Sequence, residues 1–262
     1  MSTRHLLAGL ILAPAVLRAQ ALDVSRYRIV DLTHPFNAQT IYWPNAPSTF
    51  KLDKLSYGKT PGGYFYSAFA YSSPEHGGTH LDAPIHFSER GNTVDKVSLT
   101  QLIGPAVVID VSAKAAANRD YRMTADDVHQ FERAHGAIKA GTIVLLRTGW
   151  SKHWPNKKAY LGDDRPGKTD ALHFPSFGAE AMRLLVNQRK VGAIGLDTPS
   201  IDYGPSTAFI VHQIAYGANL PGFENLTNLD QLPPTGATVI ALPMNIQGGS
   251  GAPLRAVALI PK

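Results

Sequence analysis

The sequence contains no cysteine among its 262 residues. Disulfide bonds, thiolate metal ligands and cysteine nucleophiles are therefore excluded in any compartment, and any bound metal must be held by nitrogen and oxygen. Charged residues make up only 17% of the chain, with a formal net charge of +5. No run of Lys or Arg with interleaved aromatic residues occurs, so we expect no nucleic-acid partner.

Long apolar runs are also scarce. The run at residues 6–17 follows a basic residue and precedes the triplet AQA at 19–21, a pattern typical of a secretory signal peptide, and it is too short to span a bilayer. We expect residues 1–21 to be cleaved, residues 22–262 to form the mature domain, and the protein to be periplasmic or secreted, without membrane attachment after cleavage. Arg18 is unusual so close to a cleavage site, and an uncleaved leader on a cytoplasmic protein is the alternative.

The hydrophobic fraction of 44% is enough for a large core. Strand patterns predominate and occur in YRIVDL, YFYSAFAYSS, AVVID, TIVLLR, VGAIGLD, TVIALP and RAVALI. Helices are predicted over TADDVHQFERAH, with Thr124 as N-cap, and over GAEAMRLLVNQR and PSTAFIVHQIAYG. No repeat or linker divides the chain. We therefore expect a single α/β domain with a mixed, largely antiparallel central sheet.

Signatures of several enzyme classes are absent. The sequence has no phosphate-cradling or dinucleotide-binding glycine motif, and GGSGA around Ser250 has the wrong glycine spacing for a serine nucleophile elbow. By contrast, the segment PEHGGTHLDAPIHF at 74–87 is rich in side chains that bind metals. These side chains are His76, His80, Asp82 and His86.

Glycine and proline decide the backbone of this segment. Two glycines separate His76 from His80 and a proline follows soon after Asp82, so a helix is not predicted. On an extended strand His80 and Asp82 lie on the same side, about 6.6 Å apart. The glycines and the proline permit the bends that would bring His76 and His86 back to them. Imidazole and carboxylate together suit a divalent ion, so the sequence predicts a metal site.

The segment HGGTHLDAPIH resembles the HxGTHxDxPxH signature of the cyclase family of metal-dependent hydrolases, which includes isatin hydrolase, bacterial kynurenine formamidase and trans-dienelactone hydrolase. The segments DLTHPF, YWP, LDTPSID and VHQIAYGANLPGFENLTNL match further parts of that family in order. The resemblance implies a swivelling β/β/α fold, a homodimer or larger homo-oligomer, and one or two Mn²⁺ or Zn²⁺ ions per chain.

The resemblance also implies roles for individual residues. His76, His80 and Asp82 would hold the primary ion, and Asp82 would bridge to a second ion held with His86 and Glu224. His212 matches the catalytic histidine, and Gln213 is a candidate ligand in the manner of single-metal members. Glu224 could instead brace a turn. A divalent ion lowers the pKa of bound water from about 15.7 towards 7. A histidine with a pKa of about 6.5 can accept a proton from that water and pass it to the leaving nitrogen.

Aromatic residues precede the metal-ligand segment. Phe65, Phe69 and Tyr71 share one face of the strand that leads into it, and Trp43 lies in the YWP segment. We interpret them as lining a flat substrate pocket, although aromatic strand faces more often belong to a core. The predicted function is hydrolysis of the C–N bond of a small cyclic or formylated aromatic amide, as in isatin hydrolase. Kynurenine formamidase activity, lactone hydrolysis and a non-catalytic periplasmic metal-binding role are the alternatives.

Overall fold

The computed structural model describes residues 23–262, so the predicted signal peptide at 1–21 lies outside the described residues. Within the described range the strands are β1 (Tyr27–Asp31), β2 (Lys51–Lys59), β3 (Phe65–Ser72), β4 (His80–Asp82), β5 (Ile103–Asp110), β6 (Arg122–Met123), β7 (Ile143–Arg147), β8 (Ser176–Phe177), β9 (Ala193–Leu196), β10 (Gly222–Glu224), β11 (Ala237–Pro243) and β12 (Gly251–Pro261). The α-helices are α1 (Leu99–Leu102), α2 (Ser112–Ala117), α3 (Ala125–His135), α4 (Lys157–Leu161), α5 (Ala179–Leu184) and α6 (Ile210–Gly217).

Eight strands form one mixed sheet in the order β1-β12-β11-β5-β7-β9-β10-β4. Strand β4 also pairs with β12, so the sheet closes into a barrel-like shape. The pairings β5–β7, β7–β9 and β9–β10 are parallel and the others in this sheet are antiparallel. This arrangement confirms the prediction of a single α/β domain with a mixed sheet. Strands β2 and β3 form a separate hairpin, and β6 pairs with β8.

The central strands bury both of their faces. On β7, Ile143 and Leu145 belong to the core inside the barrel, whereas Val144 and Leu146 belong to the core between the sheet and helices α3, α5 and α6. Successive side chains of a strand point to opposite faces, so a strand between two cores is apolar at every position. This explains the continuous hydrophobic run that predicted β7.

All three predicted helices occur, but two of them have different bounds from those predicted. Helix α3 begins at the capping box formed by Thr124 and Asp127, as expected for its first turn. Helix α6 begins only at Ile210, because Phe209 has a left-handed φ of 48° that interrupts a helix. Helix α5 is short and continues as a π-helical turn over Leu185–Arg189. No helix within residues 23–262 is long and apolar enough to cross a membrane.

Candidate metal centre and active site

The histidine-rich segment bends where its glycines allow. Gly78 has a left-handed φ of 58°, and a Cβ atom at Gly77 would lie 2.1 Å from the Tyr42 ring. Only glycine fits this approach. Strand β4 then covers just His80–Asp82, and a 3₁₀ turn beginning at a proline ends at His86. The segment is therefore neither a helix nor a long strand.

The pairing of β4 with β10 sets the positions of the central side chains. Leu81 belongs to the core inside the barrel, so His80 and Asp82 project from the opposite face of β4. The antiparallel register places His80 beside Glu224 and Asp82 beside Gly222. Two residues far apart in sequence thus become neighbours through one short strand pair.

The predicted primary ligands meet at one point. His76 Nδ1 lies 2.7 Å from Asp82 Oδ1, and His80 Nε2 lies 3.1 Å from the same oxygen. His80 Nε2 is also 3.6 Å from Glu224 Oε2. His80, Asp82 and Glu224 are buried, whereas His76 is partly exposed. The four side chains form a mixed nitrogen and oxygen cluster at the floor of a cavity.

The tautomer of His80 shows that this cluster fits a cation. Its Nδ1 atom lies 2.9 Å from the Gly78 carbonyl oxygen, which only accepts hydrogen bonds, so Nδ1 carries the proton. Nε2 then directs its lone pair towards Asp82 and Glu224, and it finds no hydrogen-bond partner within residues 23–262. Buried acceptors that face one another are unfavourable unless a positive charge lies between them. The donor set therefore fits a divalent metal ion.

A second group of potential ligands adjoins the first. Asp82, His86 and His212 present nitrogen and oxygen atoms that all lie within 4.8 Å of one another. The His86 ring stacks on the His76 ring with centroids 3.8 Å apart. Burial lowers the pKa of His86 to about 4. The charge of Asp82 acts in the opposite direction, and the neighbouring histidines lower the pKa further. His86 is consequently neutral at pH 7, which is the form that binds metals.

The two central carboxyl groups have opposite pKa shifts. Burial by itself raises the pKa of Asp82, but His76 and His86 hold it well below its usual value. Burial and the charge of Asp82 raise the pKa of Glu224 well above its usual value. A nearby cation would favour the ionised form of both groups, so Glu224 is the carboxyl group whose charge depends most on the ion.

His212 is oriented by Asp202, a residue that the sequence analysis missed although it belongs to the LDTPSID segment. His212 Nδ1 lies 2.6 Å from Asp202 Oδ2, and the same carboxylate accepts the backbone N–H groups of Val211 and His212 at 3.2 and 3.0 Å. Burial opposes ionisation of Asp202, but these hydrogen bonds and His212 lower its pKa. The carboxylate fixes the proton of His212 on Nδ1, so Nε2 faces Asp82 Oδ2 at 3.7 Å.

Tyr216 is a second residue that the sequence analysis missed. Its hydroxyl donates to Asp82 Oδ2 at 2.8 Å, and burial raises its pKa well above the usual value, so it remains a donor. A Cβ atom at Gly222 would lie 2.9 Å from this hydroxyl oxygen, so the glycine makes room for it. His212 and Tyr216 are four residues apart on α6 and share one helix face. One helix therefore supplies two groups to the cluster.

A cavity of about 410 Å³ opens over the cluster. Its walls include the ligand candidates described above and four aromatic side chains, which are Tyr42, Trp43, Phe87 and Phe209. None of the residues that line it in the described part of the chain is Lys or Arg. The cavity therefore offers an apolar, aromatic space with a polar floor, which is a common composition for a small-molecule site.

The structure does not place two predicted contributions at this cavity. Phe65, Phe69 and Tyr71 do not line the cavity, and they are 59%, 46% and 51% exposed. They lie on the β2–β3 hairpin, which is outside the barrel sheet, so their common strand face is turned to solvent rather than to a pocket of the same chain. Gln213 is exposed, and its side-chain amide donates to the Ala208 carbonyl at 2.6 Å instead of facing the cluster.

Known proteins resemble this chain over most of its length. A family model described as "Putative cyclase" matches residues 30–203. Isatin hydrolase of Roseibium aggregatum is 37% identical over 72% of this chain and 73% of its own length. Kynurenine formamidase of Sphingopyxis alaskensis is 31% identical over 88% of this chain and 97% of its own length. Isatin hydrolase A from Labrenzia aggregata, solved with benzyl benzoate bound, has a TM-score of 0.83 and 33% identity over 92% of this chain and 96% of that chain. Isatin hydrolase A from Ralstonia solanacearum has a TM-score of 0.81 and 35% identity over 96% of this chain and 100% of that chain.

Proposed function

The chain belongs to the cyclase family of metal-dependent hydrolases, and we propose that its substrate is a cyclic aromatic amide of the isatin type. The observation that carries this proposal is the apolar cavity, whose described lining contains no Lys or Arg. Isatin is flat and uncharged, so its burial leaves no ionic group without a partner. N-formylkynurenine carries an ammonium and a carboxylate group, and the carboxylate would lack a cationic side chain there.

We propose that His76, His80 and Asp82 hold the primary metal ion, with His86 and Glu224 available to a second. Mn²⁺ and Zn²⁺ both accept such nitrogen and oxygen ligands. When bound, a divalent ion polarises a carbonyl group and lowers the pKa of water. The hydrogen bond from Tyr216 to Asp82 supports this assignment, because it fixes the orientation of the central carboxylate.

His212 transfers the proton in this proposal. Its Nδ1–H group donates to Asp202, so Nε2 is free to take a proton from the attacking water and return it to the ring nitrogen. A C–O bond forms at the amide carbonyl, the C–N bond breaks, and the product carries both a new carboxylate and an aromatic amine. Asp202 stabilises the imidazolium form of His212 between the two transfers. A non-catalytic metal-binding protein would have no need of this pair.

Kynurenine formamidase activity is the second candidate for the same site, with lactone hydrolysis as a further variant of its chemistry. The relative from Sphingopyxis alaskensis favours the formamidase, because the match covers 88% of this chain. Glu75 lines the cavity and offers one carboxylate to an ammonium group. The carboxylate end of the formamidase substrate finds no equivalent partner, which is why we rank this activity second.

Parallel assays on one metal-loaded preparation test the proposal. We expect kcat/KM for isatin to exceed that for N-formylkynurenine by at least about tenfold, or roughly 1.4 kcal/mol in transition-state binding. Prolonged chelation should abolish hydrolysis, and Mn²⁺ or Zn²⁺ should restore it. A clear preference for N-formylkynurenine would reverse the ranking, and full activity after chelation would reject the metal-dependent mechanism.

We further propose a homodimer or larger homo-oligomer, a periplasmic or secreted location, and the swivelling β/β/α class within the observed mixed-sheet architecture. The exposed aromatic side chains of the β2–β3 hairpin support self-association. The signal-like pattern at 1–21 supports export. The N-terminal residue of the mature protein, determined by mass spectrometry after expression in a bacterial host, tests the cleavage.

A further inference from the structure

The glycine-rich segment GGSGA at 248–252 packs directly on the metal-ligand segment. We propose that Ser250, held by Glu75, is a positioning residue that orients His76 so that its Nδ1 atom faces the ion. This inference rests on the metal site of the proposed function. It gives a structural purpose to a segment whose glycine spacing excludes it as a nucleophile elbow.

The direction of each hydrogen bond follows from the chemistry of the three side chains. Ser250 Oγ lies 2.6 Å from Glu75 Oε2 and 2.9 Å from His76 Nε2. A carboxylate only accepts, so the single hydroxyl proton is donated to Glu75. The hydroxyl oxygen must then accept from the Nε2–H group of His76. This leaves His76 Nδ1 directed at Asp82 Oδ1, 2.7 Å away.

The backbone of the turn is shaped around these side chains. A Cβ atom at Gly251 would lie 2.5 Å from His76 Cε1 and 2.8 Å from the Leu81 carbonyl oxygen. A Cβ atom at Gly249 would lie 2.9 Å from Glu75 Oε1. The Ser250 N–H group also donates to Glu75 Oε2 at 3.0 Å. The two glycines let the backbone approach His76 and Glu75 closely. The serine between them is fixed by two hydrogen bonds to Glu75, one from its backbone N–H group and one from its hydroxyl group.

The two histidine ligands therefore present different nitrogen atoms. His80 is held through Nδ1 by the Gly78 carbonyl and presents Nε2, whereas His76 is held through Nε2 by Ser250 and presents Nδ1. His76 is the more exposed of the two, so its ring depends more on this hydrogen bond for its orientation. Loss of a hydrogen bond that orients a ligand typically lowers metal affinity by about 10- to 100-fold.

Zinc affinity of variants, measured by competition with a metallochromic chelator, tests the proposal. We expect Ser250→Ala to weaken zinc binding by about 10- to 100-fold, and Ser250→Thr, which keeps the hydroxyl, to bind nearly as well as wild type. Glu75→Gln should lie between them, because its amide oxygen still accepts from the serine without a charge. Gln247→Ala, an exposed position in the same turn, is the matched control and should leave the affinity unchanged.

A spectroscopic measurement separates positioning from a general loss of structure. In zinc-loaded protein with ¹⁵N-labelled histidine, long-range ¹H–¹⁵N spectra should show the His76 proton on Nε2. In zinc-loaded Ser250→Ala this Nε2–H proton should exchange faster with water, because it has lost its acceptor, while the signals of the other histidines stay unchanged. Unchanged zinc affinity in Ser250→Ala would overturn the inference, as would a His76 proton on Nδ1 in the wild type. Loss of activity in Ser250→Ala with wild-type zinc affinity would also overturn it. A wild-type protein that binds no zinc would instead reject the metal site itself.

Discussion

Asp82 is the residue on which the other side chains of the site converge. Its two oxygen atoms lie within 3.1 Å of His76 Nδ1, His80 Nε2 and the Tyr216 hydroxyl. Tyr216 donates to one oxygen, and the histidines approach the other. The carboxylate therefore provides both the negative charge of the cluster and its geometric centre, so a change there should affect every other ligand.

Asp82→Asn should remove most of the bound metal and with it hydrolysis, because a neutral amide retains the shape but not the charge that holds a cation. Elemental analysis of the purified variant, together with turnover of isatin, measures both effects. Asp110→Asn changes an exposed carboxylate paired with Arg147 and serves as the control that should keep metal and activity. An Asp82→Asn protein with full metal content would contradict the proposed ligand set.

His212→Ala should retain metal and lose about 10²- to 10⁴-fold in kcat, because it removes the group that we propose transfers the proton. Asp202→Asn should also retain metal while lowering kcat, since an amide no longer fixes the His212 proton on Nδ1. Metal content and kcat are measured on each preparation, with His129→Ala on the exposed face of α3 as the control. A metal-free His212→Ala protein would show that His212 is a ligand, which its position beside Asp82 and His86 also permits.

At the scale of secondary structure, elements long enough to show a pattern could be predicted and the shortest could not. The apolar run of β7 and the capping box at Thr124 gave correct positions for a strand and a helix. Strands β4 and β10 have three residues each, too few for a period of two to be distinguished, yet their pairing brings His80 to Glu224.

Four of the predicted ligands lie within eleven positions of the chain, so local spacing alone could predict that they come together. Asp202 and Tyr216 reach the cluster only through tertiary packing, and neither has a local pattern that separates it from an ordinary helix-capping or core residue. The aromatic residues of β3 were predicted to line the pocket but do not line this cavity, for a related reason. Alternation shows that Phe65 and Phe69 share a face, but it does not show what that face contacts.

Eight of the fifteen exposed large hydrophobic side chains within residues 23–262 lie on the β2–β3 hairpin. These side chains, on the two strands and the turn between them, are about half exposed or more, and they are Leu52, Leu55, Tyr57, Tyr64, Phe65, Tyr66, Phe69 and Tyr71. An isolated two-stranded hairpin is marginally stable in water, and extended apolar patches of this kind typically mark interfaces. We attribute the patch to contact with a second copy of the chain in the proposed oligomer.

The triple substitution Tyr57→Ser, Phe65→Ser and Phe69→Ser should therefore shift the protein to a monomer. The rings of Phe65 and Phe69 both pack against Tyr57, with centroids 5.2 and 6.4 Å from that of Tyr57. Size-exclusion chromatography with light scattering measures the mass. Metal content should be unchanged, because these residues lie outside the cavity. Asp53→Ser, an exposed position on the opposite face of the same hairpin, is the control. An unaltered mass for the triple variant would rule out this interface.

At the scale of the whole molecule, closure of the barrel assembles the site. Strand β4 pairs with β10 on one side and with the start of β12 on the other. These two pairings bring residues 76–86, 202–224 and 250 together from positions spread over most of the chain. The site is therefore formed only when the fold is complete, so conditions that weaken the fold should also weaken the site.

Acid should weaken the fold through His34, which is not among the proposed metal ligands. Its ring stacks on Trp154 with centroids 4.3 Å apart, its Nε2 atom has no hydrogen-bond partner within residues 23–262, and burial lowers its pKa to about 4. In the unfolded chain a histidine takes up its proton near pH 6.5, whereas folded His34 does so only near pH 4. Between these values the unfolded state binds more protons, so stability falls as the pH falls, by about 3 kcal/mol when the shift is fully expressed.

His34→Phe should reduce this acid sensitivity, because phenylalanine keeps an aromatic ring against Trp154 and cannot be protonated. Urea unfolding of metal-free protein at pH 6.5 and pH 4.5 gives the free energy of unfolding for each variant. We expect the wild type to lose more stability than His34→Phe between these two pH values, and the difference between the two losses measures the contribution of His34. His129→Phe, at an exposed histidine on α3, should behave like the wild type. Equal losses in wild type and His34→Phe would show that folded His34 takes up its proton as readily as an unfolded histidine, and acid sensitivity would then have to come from other buried groups such as His86.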